Sequence, residues 1–157
     1  MKILQTTAQN IIKASFHLSV WIIEQFYNVK IYENKVDLLL KMPNGTLGND
    51  IGKSLKENGL RLVPKYESHD LKHILLGYEM SPIDEIRMQA FMIGNRNYSI
   101  SVFAIFIFGV LILPNHWKLF VKDFRRGRKS SPIKTWTIEK FAHYQTSLLR
   151  ARIFQTF

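Results

Sequence analysis

Between Val102 and Leu113 the chain reads VFAIFIFGVLIL, twelve residues without a polar side chain, and Pro114 closes the run. As a helix this run is roughly 20 Å long, whereas a helix that crosses a bilayer needs about 20 residues, so it is too short to span a membrane. Apolar on every side, it must be kept from water. Either it forms a central core helix or it forms the wall of an apolar cavity.

The rest of the chain carries helical rather than strand periodicity. Ile12, Phe16, Val20, Ile23 and Tyr27 predict a helix over 8–29, and Glu33-Asn34-Lys35 reads as a break before a leucine-rich segment, Val36 to Lys41. Pro43-Asn44-Gly45 is turn chemistry, Thr46 is a cap, and Asn58-Gly59 ends the next helix. Pro64 opens a helix running to about Leu76. Ser81-Pro82 starts another, ending at Gly94-Asn95. Beyond Pro114, Trp117, Phe120, Val121 and Phe124 form an apolar stripe beside Lys118, Lys122, Arg125 and Lys129, a basic amphipathic helix. Ser130-Ser131-Pro132 is a loop. A last helix starts at Thr135 or Thr137 and buries Ile138, Phe141, Ala142, Gln145, Leu148 and Leu149. No alternation of strand type has useful length. The expected fold is all-α: one domain over residues 1–157, a compact bundle of about seven helices.

One of these helices carries chemistry. In His69-Asp70-Leu71-Lys72-His73 the two histidines are one helical turn apart and Asp70 lies roughly 100° from His69, so three metal-competent groups share one side. Imidazole and carboxylate suit a borderline divalent cation, zinc first, with iron or manganese as alternatives. A fourth ligand must come from another element. Ser81 as N-cap with Pro82 and Asp84 behind it places Glu85 one residue further, in a helix joined by a short loop. Such a loop makes the two helices antiparallel neighbours, with a metal site between them. The plainer alternative is a surface helix with two solvated histidines.

Composition narrows the partners. There is no cysteine, which removes disulfides and thiolate sites and leaves His, Asp and Glu to hold any metal. Twenty-two Lys and Arg stand against 12 Asp and Glu, a formal charge of +10 that favours an anionic partner. Aromatics at 13% and a mean hydropathy of −0.06 point to a protein that leans on membranes rather than to a polar nucleic-acid binder. Nucleic-acid binding would rest on charge alone, with no recognisable reading helix. The excess of cations around Arg125, Arg126, Arg128 and Lys129 suits an anionic bilayer surface. The membrane-binding set is Lys118, Lys122, Arg125, Arg126 and Lys129. The first thirty residues show neither a secretory cleavage pattern nor an arginine-rich presequence.

Two blocks resemble a known family. His69-Asp70-Leu71-Lys72-His73, eleven residues and then Glu85 is similar to the metal-ligand signature of the COQ4 family of ubiquinone (coenzyme Q) biosynthesis proteins. Met42-Pro43-Asn44-Gly45-Thr46-Leu47-Gly48 resembles the segment preceding the ligand helix in that family. Leu55-Lys56-Glu57-Asn58-Gly59 and Phe124-Arg125-Arg126-Gly127-Arg128 are also similar, so the resemblance covers roughly residues 40 to 130.

The resemblance implies a metal on His69, Asp70, His73 and Glu85, and a polyprenylated hydroxybenzoate ring as substrate. It further implies loss of the ring carboxyl at C1, a metal-dependent decarboxylase. Phe103, Phe106, Ile107 and Val110 would then line an apolar cavity for a polyprenyl quinone precursor or another isoprenoid lipid. Other quinone-biosynthesis proteins and a second copy of the chain are implied partners. The expected location is cytoplasmic, on the inner face of the membrane, as a bacterial relative. A non-catalytic, metal-stabilised lipid-binding scaffold is the alternative, because four protein ligands can close a site. A phosphohydrolase of the type that pairs adjacent His and Asp fits less well: His17 lies 52 residues before His69, and Asp123 sits inside the basic helix.

Overall fold

A computed structural model describes residues 29–63 and 66–155, together with positions 6, 7, 10 and 14. The helix expected over 8–29 falls almost entirely outside these residues, as does Pro64. The described chain is all-helical: α1 Val29–Leu40, α2 Leu47–Glu57, α3 Glu67–Leu76, α4 Pro82–Gly94, α5 Ile100–Ile112, a 3-10 turn Pro114–His116, α6 Trp117–Arg128, α7 Ile138–Phe141 and α8 Thr146–Phe154. Its β-type pairing, among the described residues, is an isolated bridge between Thr46 and Gln145. The helices gather into two compact units, one from the described residues of 18–77 with Thr135–Arg152, the other from Tyr78–Lys134 with the described residues of 1–17 and of 153–157.

In the first unit, α1 runs straight through Glu33-Asn34-Lys35, which the sequence reading takes as a break. Asn34 is exposed, and Lys35 Nζ lies 2.9 Å from Glu139 and 3.8 Å from Glu67. The Pro43–Gly48 block builds the start of α2. Thr46 Oγ1 accepts from the Asn49 N–H at 3.4 Å and donates to the Pro43 carbonyl at 2.7 Å. The first helical N–H groups, which no intrahelical carbonyl can reach, donate elsewhere: Leu47 to Tyr144 O and Gly48 to Ala142 O, each at 2.9 Å. This is why the single last helix predicted from Thr135 or Thr137 is two. Carbonyls 142 and 144 cap α2 instead of continuing a helix. Thr146 restarts it, with its N–H on Gly45 O and its hydroxyl on Asp50 at 2.6 Å. Gln145 and Leu148, expected to be buried, are exposed; Leu149 is buried as expected, and Thr146 and Ile153 join it.

In the second unit, α4 and α6 cross at backbone contact. A methyl group on Gly94 would run into the carbonyl oxygen of Phe124, and one on Gly127 into that of Phe91, so neither position accepts a larger residue without separating the helices. The Asn95 side chain fastens the following loop: its amide donates to Ser131 O at 3.0 Å, and its oxygen accepts from Ile133 N–H at 2.9 Å.

Helix α5 departs most from expectation. It is not a core helix. Val102 and Gly109 are buried, while Phe106 and Val110 pack half-buried onto the cluster of Ile86, Ala90, Leu113 and Phe120. Ile100, Ile107 and Leu111 are 89%, 56% and 74% exposed, and Phe103 and Phe108 also face outward. One narrow stripe is enough to dock it, because Gly109 lets the helix sit directly on Ile86. Composition could not reveal this: from Val102 on, no polar side chain marks which face of α5 turns outward.

Candidate metal centre

Helix α3 is amphipathic in a modest way. Leu71, Leu75 and Leu76 are buried, and the helix stops at Gly77, whose φ of 72° turns the chain and whose N–H bonds back to His73 O at 3.0 Å. With one turn between them, the rings of His69 and His73 meet edge to face, 4.7 Å between centroids, and their Nε2 atoms are 3.0 Å apart. His73 is buried, at 2% exposure, while His69 and Asp70 are half-buried. Two imidazole nitrogens this close share one proton or one cation. Tetrahedral binding at bond lengths near 2.05 Å would set them roughly 3.3 Å apart, so the pair is already close to that spacing.

The start of α4 is the expected cap with one difference. Ser81 Oγ accepts from the Asp84 N–H at 3.2 Å and Pro82 occupies the first turn. The Asp84 carboxylate does not close a capping box: it accepts from Glu79 N–H at 3.0 Å and from Arg87 Nη1 at 2.7 Å. Glu85, the next residue, points to a different partner: the side-chain amide of buried Gln89 donates to Glu85 Oε1 at 2.6 Å. An amide donor on a ligand carboxylate fixes its orientation, the usual task of an outer-shell group.

His69, His73 and Glu85 form a group that could hold a metal ion: each offers one ligand atom, and these atoms lie within 4.8 Å of one another. Asp70 is not one of the three. Two imidazoles with one carboxylate are a known catalytic zinc set, which leaves a coordination position for water or substrate. The donor chemistry therefore fits a divalent cation.

Sequence reasoning missed two supporting residues. Gln89 was detectable only as a polar side chain, one turn after Glu85, inside the run Met88-Gln89-Ala90-Phe91. Asp123 was legible as the one acid of a basic helix. It is buried, accepting from Tyr78 Oη at 2.9 Å and from Arg87 Nε at 2.8 Å. Burial, then the adjacent Asp123 carboxylate, pushes the Tyr78 hydroxyl well above the ordinary tyrosine range. Burial works against the Arg87 charge, but the bond and charge of Asp123 override it and the guanidinium is held more firmly protonated. The chain Glu79–Asp84–Arg87–Asp123–Tyr78 thus braces the turn that carries Glu85.

Of the cations assigned to a membrane, Lys118, Lys122, Arg125 and Lys129 are exposed. Arg126 is half-buried, its guanidinium 4.3 Å from the Phe154 ring centroid and 5.5 and 5.6 Å from those of Phe91 and Tyr78. The four residues assigned to a lipid cavity fall on two faces of α5: Phe106 and Val110 inward, Phe103 and Ile107 outward.

No family model matches the chain, and no curated protein does. Among solved structures, a crystal structure of a protein from Nostoc punctiforme, provisionally named a ubiquinone biosynthesis protein, is similar to it. The TM-score is 0.62 at 21% identity, over 98% of this chain and 93% of that one. At that identity the likeness establishes one thing: the two chains share a fold.

Proposed function

We propose that this chain is a quinone-biosynthesis protein of the COQ4 type, which holds a divalent metal on His69, His73 and Glu85, with Asp70 as an additional ligand. Its substrate is a polyprenylated hydroxybenzoate, bound at an anionic membrane surface, and the reaction is loss of the ring carboxyl at C1 as carbon dioxide, with a proton from water taking its place on the ring. The observation that carries this reading is the His69–His73–Glu85 group. A fold shared with a protein provisionally named for ubiquinone biosynthesis supports it. When bound, a divalent cation supplies Lewis acidity to the carboxylate or phenolate of the ring. The chain's own residues do the rest. Gln89 keeps the Glu85 carboxylate oriented, and buried His73 keeps the site away from bulk water. Lys118, Lys122, Arg125 and Lys129 hold the protein where a prenyl tail resides.

The test combines metal analysis of the purified protein with mass spectrometry of co-purifying lipid and an assay of carbon dioxide release from a short-tailed prenylated 4-hydroxybenzoate. The expected result is bound metal, a prenylated ring and carbon dioxide release that fails in Glu85→Gln. Metal and lipid without carbon dioxide would favour the scaffold. Absence of both metal and prenyl lipid would sink the proposal.

A further inference from the structure

The outward face of α5 is the strongest unexplained feature of the surface. Ile100, Phe103, Ile107, Phe108 and Leu111 stand exposed along 13 residues of helix that carry no charge. Soluble proteins seldom leave so continuous an apolar strip to water. The next helix identifies the occupant. At the 3-10 turn the chain bends by 104° into α6. The first turns of α6 expose Trp117 and Leu119, and its outer side carries Lys118, Lys122, Arg125 and Arg128. Its one acid, Asp123, is turned inward onto Tyr78 and Arg87. The outer surface of this helix pair thus combines a greasy rod with a purely cationic helix and a tryptophan at their junction. No single helix among the described residues is long and apolar enough to cross a membrane.

From this combination we infer that α5 is a monotopic membrane anchor: it lies in the plane of the bilayer with its outer face among the acyl chains, and α6 meets anionic headgroups. The occupant is an anionic phospholipid leaflet. Tryptophan at the junction suits the headgroup level, and an apolar helix beside a basic one suits partial immersion, about 5–10 Å deep. A second copy is a poorer occupant, since pairing through α5 would bring along two like-charged helices in a chain of net charge +10. Phe103 and Ile107 are thereby assigned to the bilayer rather than to a cavity. The inference deepens the membrane partner proposed for this chain. Its test uses vesicles holding neither metal nor quinone precursor, so it stands or falls separately from the chemistry.

The absence of cysteine makes the experiment direct. Leu111→Cys and, as control, Lys140→Cys on α7 are labelled with an environment-sensitive fluorophore. Each is mixed with vesicles of phosphatidylcholine containing about one third phosphatidylglycerol. The label at Leu111 should shift to the blue and be quenched by acyl-chain spin labels, whereas the label at Lys140 should do neither. Ile107→Asp with Leu111→Asp, checked for unchanged helicity, should weaken vesicle binding at least tenfold at any salt concentration. Lys118→Glu with Lys122→Glu should weaken it mainly at low salt, by about fivefold or more per residue. A Leu111 label that stays in water while the protein binds would overturn the insertion. So would failure to bind, or a stable dimer that shields the label without vesicles.

Discussion

Gln89 donates to Glu85 at 2.6 Å from a buried position one helical turn away, so the orientation of a candidate ligand depends on a residue that binds nothing itself. Gln89→Leu should leave the fold in place and lower zinc affinity about 10–100-fold, as outer-shell losses do, measured by competition with a chelating dye. Glu85→Gln should lower it further. The neighbouring acid should behave in the opposite way. Asp84 is committed to Glu79 N–H and Arg87, so Asp84→Asn should cost about 1–2 kcal/mol of stability in urea and leave metal content near wild type. Within the candidate metal group, His69 and His73 were readable from spacing, because helical geometry makes i and i+4 neighbours wherever the helix sits, and Glu85 from the Ser81 cap, the short loop before it and the family resemblance. Gln89 and Asp123 were not, because a lone polar residue shows its role only when its partner's position is known. Tyr78 gives a pH signature. Its folded value is raised, so its contribution is complete below the unfolded tyrosine value, about 10, and is lost as pH rises above it. Between pH 9 and 11 the wild type should lose more stability than Tyr78→Phe.

Among the elements, helix ends were the most legible and helix faces the least. Ser81, Gly77 and the Asn58-Gly59 pair mark boundaries through local chemistry that the tertiary structure has no reason to override. Two readings failed where a distant segment intervened. The break expected at Glu33-Asn34-Lys35 is helix because Lys35 finds Glu67 and Glu139. The last helix splits because its carbonyls at Ala142 and Tyr144 serve the start of α2. The exposure of α5 was hidden for another reason: a run with no polar residue has no periodicity to report which side faces in. Where α4 and α6 touch, the requirement is steric. Gly127→Ala should cost about 3 kcal/mol, at the upper end of overpacking penalties because the obstructing atom is a backbone carbonyl. Thermal unfolding would check it, and a loss below about 1 kcal/mol, the lower end of that range, would show that the helices can separate.

For the whole molecule, two all-helical units, a His₂Glu group and a cationic-apolar surface are what the proposed action on a prenylated acid at a membrane rests on. The metal is central to that account. Elemental analysis of protein purified with zinc, iron and manganese in the medium tests it most directly. The expected result is about one divalent ion per chain in the wild type and in Asp84→Asn, and a small fraction of that in His73→Ala and Glu85→Gln. A wild type without metal, or an unchanged content in His73→Ala and Glu85→Gln, would contradict it.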